Sequence, residues 1–214
     1  MLPIYVMWDS GLDALEEQAI NDALEEQVCM FPNLDIYVYG SEDWSPNSDY
    51  SSADWYVLHA NSVMGLEGEW QINADHLLDL IASEPWQANP HIDVMVTSWD
   101  LTAFDRGRQM NFVFGEANGR ITVQSVARFR VLAEVDRYLA IKAVIHHELG
   151  HIFGLAADPW RSNTEYNIGP HCTNHGCIMR QGLSVSEWAA HAREAYGRGQ
   201  IYCPQCLADA MRVL

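Results

Sequence analysis

The alternation of apolar and polar residues along the chain predicts a sheet of short strands combined with several longer helices. Runs rich in β-branched and aromatic residues predict strands over residues 3–8, 34–39, 54–60 and 92–97. Apolar residues at helical spacing, bounded by capping and terminating residues, predict helices over 12–29, 71–82, 134–153 and 184–196. A stretch rich in Ser, Asp, Pro and Asn predicts a surface loop over 40–53.

Two short signals predict local structure in more detail. Ser184 and Glu187 have the three-residue spacing of a capping box, which begins a helix. The Asn-Gly pair at 118–119 stands between strands predicted over 111–115 and 120–126. This pair favours a type I′ turn, because both central residues of that turn adopt positive φ. We therefore expect a β-hairpin there.

The composition favours one sizeable folded domain. The chain has 214 residues, 49% of them hydrophobic, and includes 8 Trp, 9 Tyr and 6 Phe. This aromatic content can fill a large core and excludes a chain that is disordered as a whole. Cys29, one of five cysteines, is expected to pack in the core as a small hydrophobe.

The charge balance disfavours a nucleic-acid partner. The formal net charge is −17, and Lys142 is the single lysine. A surface of this sign repels phosphate backbones. No apolar run approaches the roughly 20 residues that cross a bilayer, and Asp9 interrupts any signal-peptide core near the start. We therefore expect no membrane partner and a cytoplasmic location.

The pentapeptide His-Glu-Leu-Gly-His at 147–151 is the main candidate for chemistry. Residues four positions apart lie on one face of a helix, so His147 and His151 can bind one metal ion, with Glu148 beside them. Zinc accepts such nitrogen ligands and leaves room for a third protein ligand and a water. Gly150 costs about 1 kcal/mol relative to alanine inside a helix, which indicates a special requirement at that position.

This arrangement predicts hydrolysis by a metal-activated water. The zinc would lower the pKa of its bound water toward about 7 and polarise a carbonyl group. Glu148 would take a proton from that water and pass it to the leaving amine. The expected reaction is hydrolysis of a peptide bond without a covalent intermediate. His146 points about 100° away from His147 and is expected to be a hydrogen-bonded neighbour.

Three downstream residues can supply the third ligand: Asp158, His171 and His175. The pattern at 147–154 resembles that of the metzincin peptidases, whose third histidine follows the glycine by three residues; here that position is Ala157. His171 is favoured because His-Cys-x-x-x-x-Cys-x-Met begins there, and this resembles the archaemetzincin signature, which continues with a later Cys-x-x-Cys. A site with Asp158 as the third ligand stays open as the alternative.

The resemblance extends upstream and identifies an insertion. Residues 100–101, the segment 111–115 and Arg128 are similar to the archaemetzincin residues that precede the active-site helix. His171 lies 17 residues beyond Gly154, whereas the metzincin pattern has three. A longer loop adds little closure entropy once both of its ends are fixed.

Four cysteines form two closely spaced pairs within the last 43 residues, Cys172 with Cys177 and Cys203 with Cys206. Thiolates at such spacing form closed structural zinc sites. We expect metal and not disulfides, because no signal peptide is evident. A zinc ion held there would also anchor the neighbouring His171.

The resemblance implies two further roles. Met179 matches the methionine of the turn beneath the metzincin zinc, where it forms a hydrophobic base (a Met-turn) and is not a ligand. The metzincin sheet also has an antiparallel edge strand along which an extended peptide substrate can pair. This strand corresponds to Asn111, Phe112, Val113, Phe114 and Gly115.

The expected protein is an α+β, zincin- or metzincin-like domain with two zinc ions, one catalytic and one structural. Residues 1–154 would form a twisted mixed sheet of about five strands, a backing helix and the active-site helix. Residues 155–214 would form a small lobe stabilised by the structural zinc. Together they would form a single catalytic domain over 1–214. The expected function is that of an archaemetzincin-like zinc metallopeptidase acting on peptide or protein substrates. The alternative is a zinc-stabilised binding protein without turnover, which uses its cleft or the acidic 40–70 region for a partner.

Overall fold

The computed structural model describes residues 2–42, 52–105, 107–158, 161–166 and 169–213, so most of the loop predicted over 40–53 lies outside the described residues. The strands are β1 (Ile4–Trp8), β2 (Ile36–Gly40), β3 (Ser62–Met64), β4 (Trp70–Asn73), β5 (Ile92–Thr97), β6 (Leu101–Thr102), β7 (Phe104–Asp105), β8 (Arg108–Gln109), β9 (Gly115–Asn118), β10 (Ile121–Ser125), β11 (Thr164–Glu165) and β12 (His171–Cys172). The α-helices are α1 (Ala14–Met30), α2 (Ala53–His59), α3 (Ala74–Ala82), α4 (Glu134–Ile152), α5 (Val185–Gly197) and α6 (Pro204–Val213). Two short 3-10 helices span Pro85–Ala88 and Ala127–Val131.

The chain folds as two compact units. The first comprises residues 1–14 and 28–128, and the second comprises residues 15–27 and 129–214. In the described ranges we find no helix that is both long and apolar enough to cross a membrane. The single catalytic domain with its boundary at residue 155 stays a prediction.

The first unit contains the predicted mixed sheet of five strands, in the order β2-β1-β5-β10-β9. The first four strands are parallel, and β9 pairs antiparallel with β10 at the edge. Every residue of the central strand β5 is buried, as expected for a strand covered on both faces. Helices α2 and α3 pack on the sheet, and the core between them includes Tyr56, Leu77 and Met95.

The strand predicted over 54–60 is wrong, because this segment forms the helix α2. The buried residues of α2 are Ala53, Tyr56 and Val57. They recur at three- and four-residue spacing, which is the spacing of one helix face and not of a strand. Packing of this face on the sheet outweighs the strand preference of its aromatic and β-branched residues.

The predicted hairpin is present, but its turn lies one residue later than expected. Asn118 is the last residue of β9 and pairs with Ile121, so the two turn residues are Gly119 and Arg120. Gly119 has a φ of +61°, whereas Arg120 is not among the residues with positive φ. A positive φ at the first turn position alone is typical of a type II′ turn, so the type I′ prediction is wrong.

In the second unit, side chains of α1 and α4 form hydrogen bonds with each other, and α4 packs against α5. Lys142 Nζ lies 2.6 Å from Glu26 Oε1, and His146 Nε2 lies 3.0 Å from Glu26 Oε2. His146 is thus the hydrogen-bonded neighbour that its position on α4 predicts. Half of the predicted capping box is present, because Ser184 Oγ accepts a hydrogen bond from the Glu187 N–H at 3.2 Å, whereas the Glu187 carboxylate accepts one from the Leu183 N–H at 2.8 Å.

Cys29 is exposed, so the prediction that it packs in the core is wrong. The buried face of α1 includes Ala19, Ala23 and Gln27. Cys29 follows Gln27 by two residues, which is a rotation of about 200° around the helix. Its side chain therefore points away from the buried face.

Candidate metal centres

Helix α4 carries three of the predicted site residues. His147 and His151 lie one helical turn apart, and Glu148 follows His147 directly. His147 is 3% exposed and Glu148 is 5% exposed. A carboxyl group and an imidazole with so little contact with solvent are costly on a helix unless they have specific partners.

The end of α4 is fixed by its last backbone hydrogen bonds. The Gly154 N–H donates to His151 O at 3.0 Å, and the Leu155 N–H donates to Gly150 O at 2.9 Å. Gly154 has a φ of +70°, in the left-handed region that favours glycine. Together these features form a Schellman motif, which ends the helix at Ile152 and redirects the chain.

His171, on the short strand β12, joins the two histidines of α4. One ligand atom from each of His147, His151 and His171 lies within 4.8 Å of the others. The Nε2 atoms of His147 and His151 are 3.0 Å apart, and the ring centroid of His171 is 5.1 Å from that of His147. Within the described part of the chain, Asp158 and His175 do not belong to this cluster.

Backbone carbonyl groups orient two of these rings. His147 Nδ1 donates to Ile178 O at 2.8 Å, and His171 Nδ1 donates to Gly169 O at 3.2 Å. Because a carbonyl oxygen only accepts, Nδ1 carries the proton and Nε2 keeps its lone pair in the neutral ring. Each ring therefore presents Nε2 as its free ligand atom.

Burial keeps the three imidazoles neutral. It lowers the pKa of His147 well below 6.5, with further lowering from the neighbouring His151 and His171. Burial and the proximity of His171 lower the pKa of His151 to about 3, and burial lowers the pKa of His171. Neutral imidazoles are the form that binds zinc, so this donor set fits that metal.

Met179 lies against the glycine of the pentapeptide. The Met179 side chain is fully buried, and a Cβ atom built on Gly150 would lie 2.2 Å from its Sδ. Any side chain at position 150 would therefore displace Met179. This contact explains the glycine inside α4, while the role of Met179 in a Met-turn stays a prediction.

The four cysteines form a second cluster. The Sγ atoms of Cys172, Cys177, Cys203 and Cys206 lie within 4.8 Å of one another, and all four residues are buried. Cys172 and Cys203 are 3.7 Å apart at Sγ, far beyond the roughly 2.05 Å of a disulfide bond. A hydrogen bond with Cys177 lowers the pKa of Cys172 to about 7. Four buried sulfur atoms at these distances fit a closed tetrahedral zinc site.

Sequence reasoning missed Arg161, whose guanidinium lies beside this cluster. Arg161 Nη1 is 3.5 Å from Cys206 Sγ, and Nη2 is 3.6 Å from Cys172 Sγ. One signal could have identified it: Arg161 is the only lysine or arginine between Lys142 and Arg180.

The segment 111–115, expected to be the edge strand, lies in the first unit. The strand β9 begins only at Gly115, so the predicted bounds are wrong. Val113 forms an isolated antiparallel bridge with Leu101. The carbonyl oxygen of Asn111 instead accepts a hydrogen bond from Gln71 Nε2 at 2.7 Å, which removes it from strand pairing.

Several of the residues before α4 that resemble archaemetzincin residues form one polar network in the first unit. Arg128 donates to both carboxylate oxygens of Asp100, through Nε at 2.9 Å and Nη2 at 2.8 Å. The same guanidinium lies 3.9 Å from the ring centroid of Phe112. This bidentate pair with a stacked aromatic ring holds the segment before β9 in place.

Two solved structures share this fold. The archaemetzincin from Methanopyrus kandleri, determined at 1.5 Å resolution, superposes with a TM-score of 0.63 and 21% identity over 99% of this chain and 94% of that chain. The archaemetzincin from Archaeoglobus fulgidus, determined at 1.4 Å in complex with malonate, gives a TM-score of 0.57 and 24% identity over 97% and 99%. The fold and the two clusters thus define a mixed α/β protein with an archaemetzincin-like fold and two candidate metal centres.

Sequence comparisons narrow this class. No family model matches the chain. The archaemetzincin of Sulfolobus acidocaldarius is 26% identical over 166 residues, which are 70% of this chain and 74% of that protein. The archaemetzincin of Thermococcus kodakarensis is 31% identical over 129 residues, which are 56% of this chain and 56% of that protein. The archaemetzincin of Methanopyrus kandleri is 37% identical over 97 residues, which are 43% of this chain and 43% of that protein. Four curated archaemetzincins and the two solved structures support the archaemetzincin family for this chain.

Proposed function

We propose that the protein is a zinc-dependent peptidase whose catalytic metal is held by His147, His151 and His171. The observation that carries this proposal is the convergence of three neutral imidazoles within 4.8 Å, with Glu148 adjacent to the first of them on α4. Three histidines that leave one coordination position free are typical of catalytic zinc, whereas structural sites are closed by four protein ligands.

Each residue has a distinct role in this proposal. Zinc, when bound, would polarise the scissile carbonyl group and lower the pKa of a water molecule. Glu148 accepts the proton of the attacking water and delivers it to the departing amine. The carbonyl groups of Ile178 and Gly169 hold His147 and His171 in the tautomer that presents Nε2.

The four cysteines hold a second, structural zinc ion in this proposal. Cys172 follows His171 directly on β12, so a metal ion at the cysteines also restricts the position of the third histidine. Metal binding at such a site contributes about 10 kcal/mol or more to the folding of a small lobe.

The proposed substrates are peptides or proteins in extended form, which would pair with the edge strand β9 as the resemblance to the metzincin sheet implies. The net charge of −17 supports the absence of a nucleic-acid partner. No membrane partner and a cytoplasmic location complete the proposal.

The substitution Glu148→Gln tests the proposed mechanism. Glutamine keeps the shape of the side chain but cannot accept the proton, so we expect kcat/KM on casein or a mixed peptide library to fall by about 10²–10⁴. The zinc content and the circular dichroism spectrum should stay unchanged. The matched control is Glu134→Gln, an exposed residue of the same helix, which should keep full activity.

Two other results would count against the proposal. Cleavage by Glu148→Gln at the wild-type rate would remove Glu148 as the general base. Failure of the zinc-loaded wild type to cleave any peptide of the library, while still binding peptides, would favour the zinc-stabilised binding protein.

A further inference from the structure

The inserted segment between α4 and His171 packs on the strand that carries this histidine. Within this segment, β11 pairs antiparallel with β12, with Glu165 opposite His171 and Thr164 opposite Cys172. The Thr173 N–H donates to Asn163 O at 2.9 Å. The insertion is therefore a structured partner of the strand that contributes a residue to each cluster.

Arg161 is the charged group of this segment, and its side chain is 8% exposed. Its Nη1 lies 3.5 Å from Cys206 Sγ, and its Nη2 lies 3.6 Å from both Cys172 Sγ and Cys206 Sγ. Nε donates to Asn163 Oδ1 at 3.1 Å. One guanidinium thus contacts a sulfur atom from each of the two cysteine pairs.

Asp209 on α6 completes this arrangement. Its carboxylate forms an ion pair with Arg161 Nη1 and accepts a hydrogen bond from the Ala156 N–H at 3.1 Å. Ala156 has a φ of +60°, which is unfavourable for alanine and requires compensation by its surroundings. Arg161 and Asp209 therefore connect the chain after α4, the cysteines and α6.

Charge explains why a guanidinium is placed here. Four thiolates around one zinc ion carry a net charge of −2, and burial of such charge is costly without a partner of opposite sign. Burial disfavours the charge of Arg161 as well, but hydrogen bonds to Cys206 and Asp209 more than offset this and raise the pKa of Arg161. The planar guanidinium reaches two sulfur atoms and a carboxylate at once, which a lysine ammonium does not.

We infer that Arg161 is a positioning residue, supplied by the insertion, that compensates the charge of the four-cysteine metal site and so holds Cys172 and the adjacent His171 in place. This inference rests on the proposed metal site at the cysteines. It assigns a role to the insertion, which places His171 17 residues beyond Gly154 where the metzincin pattern has three.

The test compares the wild type with Arg161→Met and Arg161→Lys. Arg193→Met is the matched control, because Arg193 forms an ion pair with Asp136 at the surface of the same unit. Each protein is loaded with Co²⁺, whose thiolate-to-metal absorption reports only the cysteine site, and the loss of this band to a chelator is followed. In parallel, the rate at which a thiol reagent modifies the four clustered cysteines is measured by peptide mapping, which separates them from the exposed Cys29.

We expect Arg161→Met to lose the metal about 10–100 times faster than the wild type, with a matching gain in thiol modification. Arg161→Lys should show an intermediate rate, because it keeps the charge without the planar contacts. This second variant decides the matter if Arg161→Met does not fold by circular dichroism. Arg193→Met should behave as the wild type does.

The inference and the proposed metal site fail in different ways. If the wild type shows no thiolate-to-cobalt band, the four-cysteine site is wrong and the inference fails with it. If the wild type shows the band and both Arg161 variants release metal at the rate of Arg193→Met, the inference alone is overturned.

Discussion

At the scale of one residue, the missing side chain of Gly150 lets Met179 pack closely against α4. Alanine would favour the helix by about 1 kcal/mol, yet its Cβ atom would lie 2.2 Å from Met179 Sδ. Overpacking of this kind costs about 1–3 kcal/mol. The contact therefore outweighs the helix preference, and it lies between His147 and His151 along the chain.

We predict that Gly150→Ala lowers the free energy of unfolding by up to about 2 kcal/mol, which is the overpacking cost less the helix preference of alanine, and that it weakens metal binding at the histidines. The measurement is urea denaturation together with zinc content. Gly197→Ala is the control, because a Cβ atom there meets no atom within 4 Å. The double variant Gly150→Ala/Met179→Ala should cost less than the sum of the single changes; strictly additive costs would show that the two residues do not interact.

Individual site residues differed in how well they could be predicted. His147, Glu148 and His151 follow from local spacing on a helix, and the cysteine pairs follow from their separation along the chain. The contact of Arg161 with the cysteines depends on the path of an inserted segment, which residue spacing does not determine. The resemblance to archaemetzincins favoured His171 over Asp158, and His171 is the residue that joins the cluster.

At the scale of elements, a small, partly buried polar group joins α1 to α4. Glu26 lies 2.6 Å from Lys142 Nζ and 3.0 Å from His146 Nε2. Desolvation raises the pKa of Glu26, but the hydrogen bonds from His146 and Lys142 outweigh it, so the pKa is lowered overall. Lys142 itself is 5% exposed and depends on this partner.

We predict that Glu26→Gln lowers the free energy of unfolding by about 1–3 kcal/mol, because it leaves the buried Lys142 without its counter-charge. This range is below that of a fully buried pair, since the Glu26 side chain is 36% exposed. Glu25→Gln, the exposed neighbour on the same helix, is the control in urea denaturation. Equal costs for the two substitutions would contradict the role of the pair.

Elements with one dominant local signal were predicted well. The strand β5 matches its predicted bounds of 92–97, and α4 matches 134–153 to within one residue. The helix α2 was missed because its aromatic and β-branched residues favour a strand locally, while packing on the sheet selects the helix. The turn of the hairpin was misplaced because pairing in the sheet, and not the Asn-Gly pair, sets the register.

At the scale of the whole molecule, the buried histidines make the metal-free protein sensitive to acid. Burial lowers the pKa values of His146, His147, His151 and His171 in the folded state. Below about pH 6.5 the unfolded chain therefore binds more protons at these residues than the folded chain does. Their contribution to stability is lost as the pH falls. Half-buried carboxyl groups such as Glu116, whose pKa desolvation raises to about 7, act in the opposite direction.

The contribution of one histidine can be isolated with His151→Gln. The difference in free energy of unfolding between the metal-free wild type and this variant should shift in favour of the variant as the pH falls from 6.5 toward 3. The carboxyl groups cancel in this difference. Denaturation at a series of pH values provides the measurement, and a difference that does not change with pH would contradict the lowered pKa of His151.

At the scale of the whole molecule, the composition and the net charge predicted only general properties of the chain. They predicted a folded chain with a large core and disfavoured nucleic acid, and the described residues include a hydrophobic core in the first unit that is mostly aliphatic. The order of the strands and the division into two units depend on contacts between distant residues, which no local pattern encodes.

Two metal centres, one of three histidines and one of four cysteines, would be filled in the folded protein. The zinc content per folded chain can be measured by elemental analysis on protein purified without chelators or a metal-affinity tag. We expect a value near two in the wild type, falling to near one in His171→Ala because the cysteine site stays filled. A value near one or zero in the wild type would show that at least one of the two centres does not hold zinc.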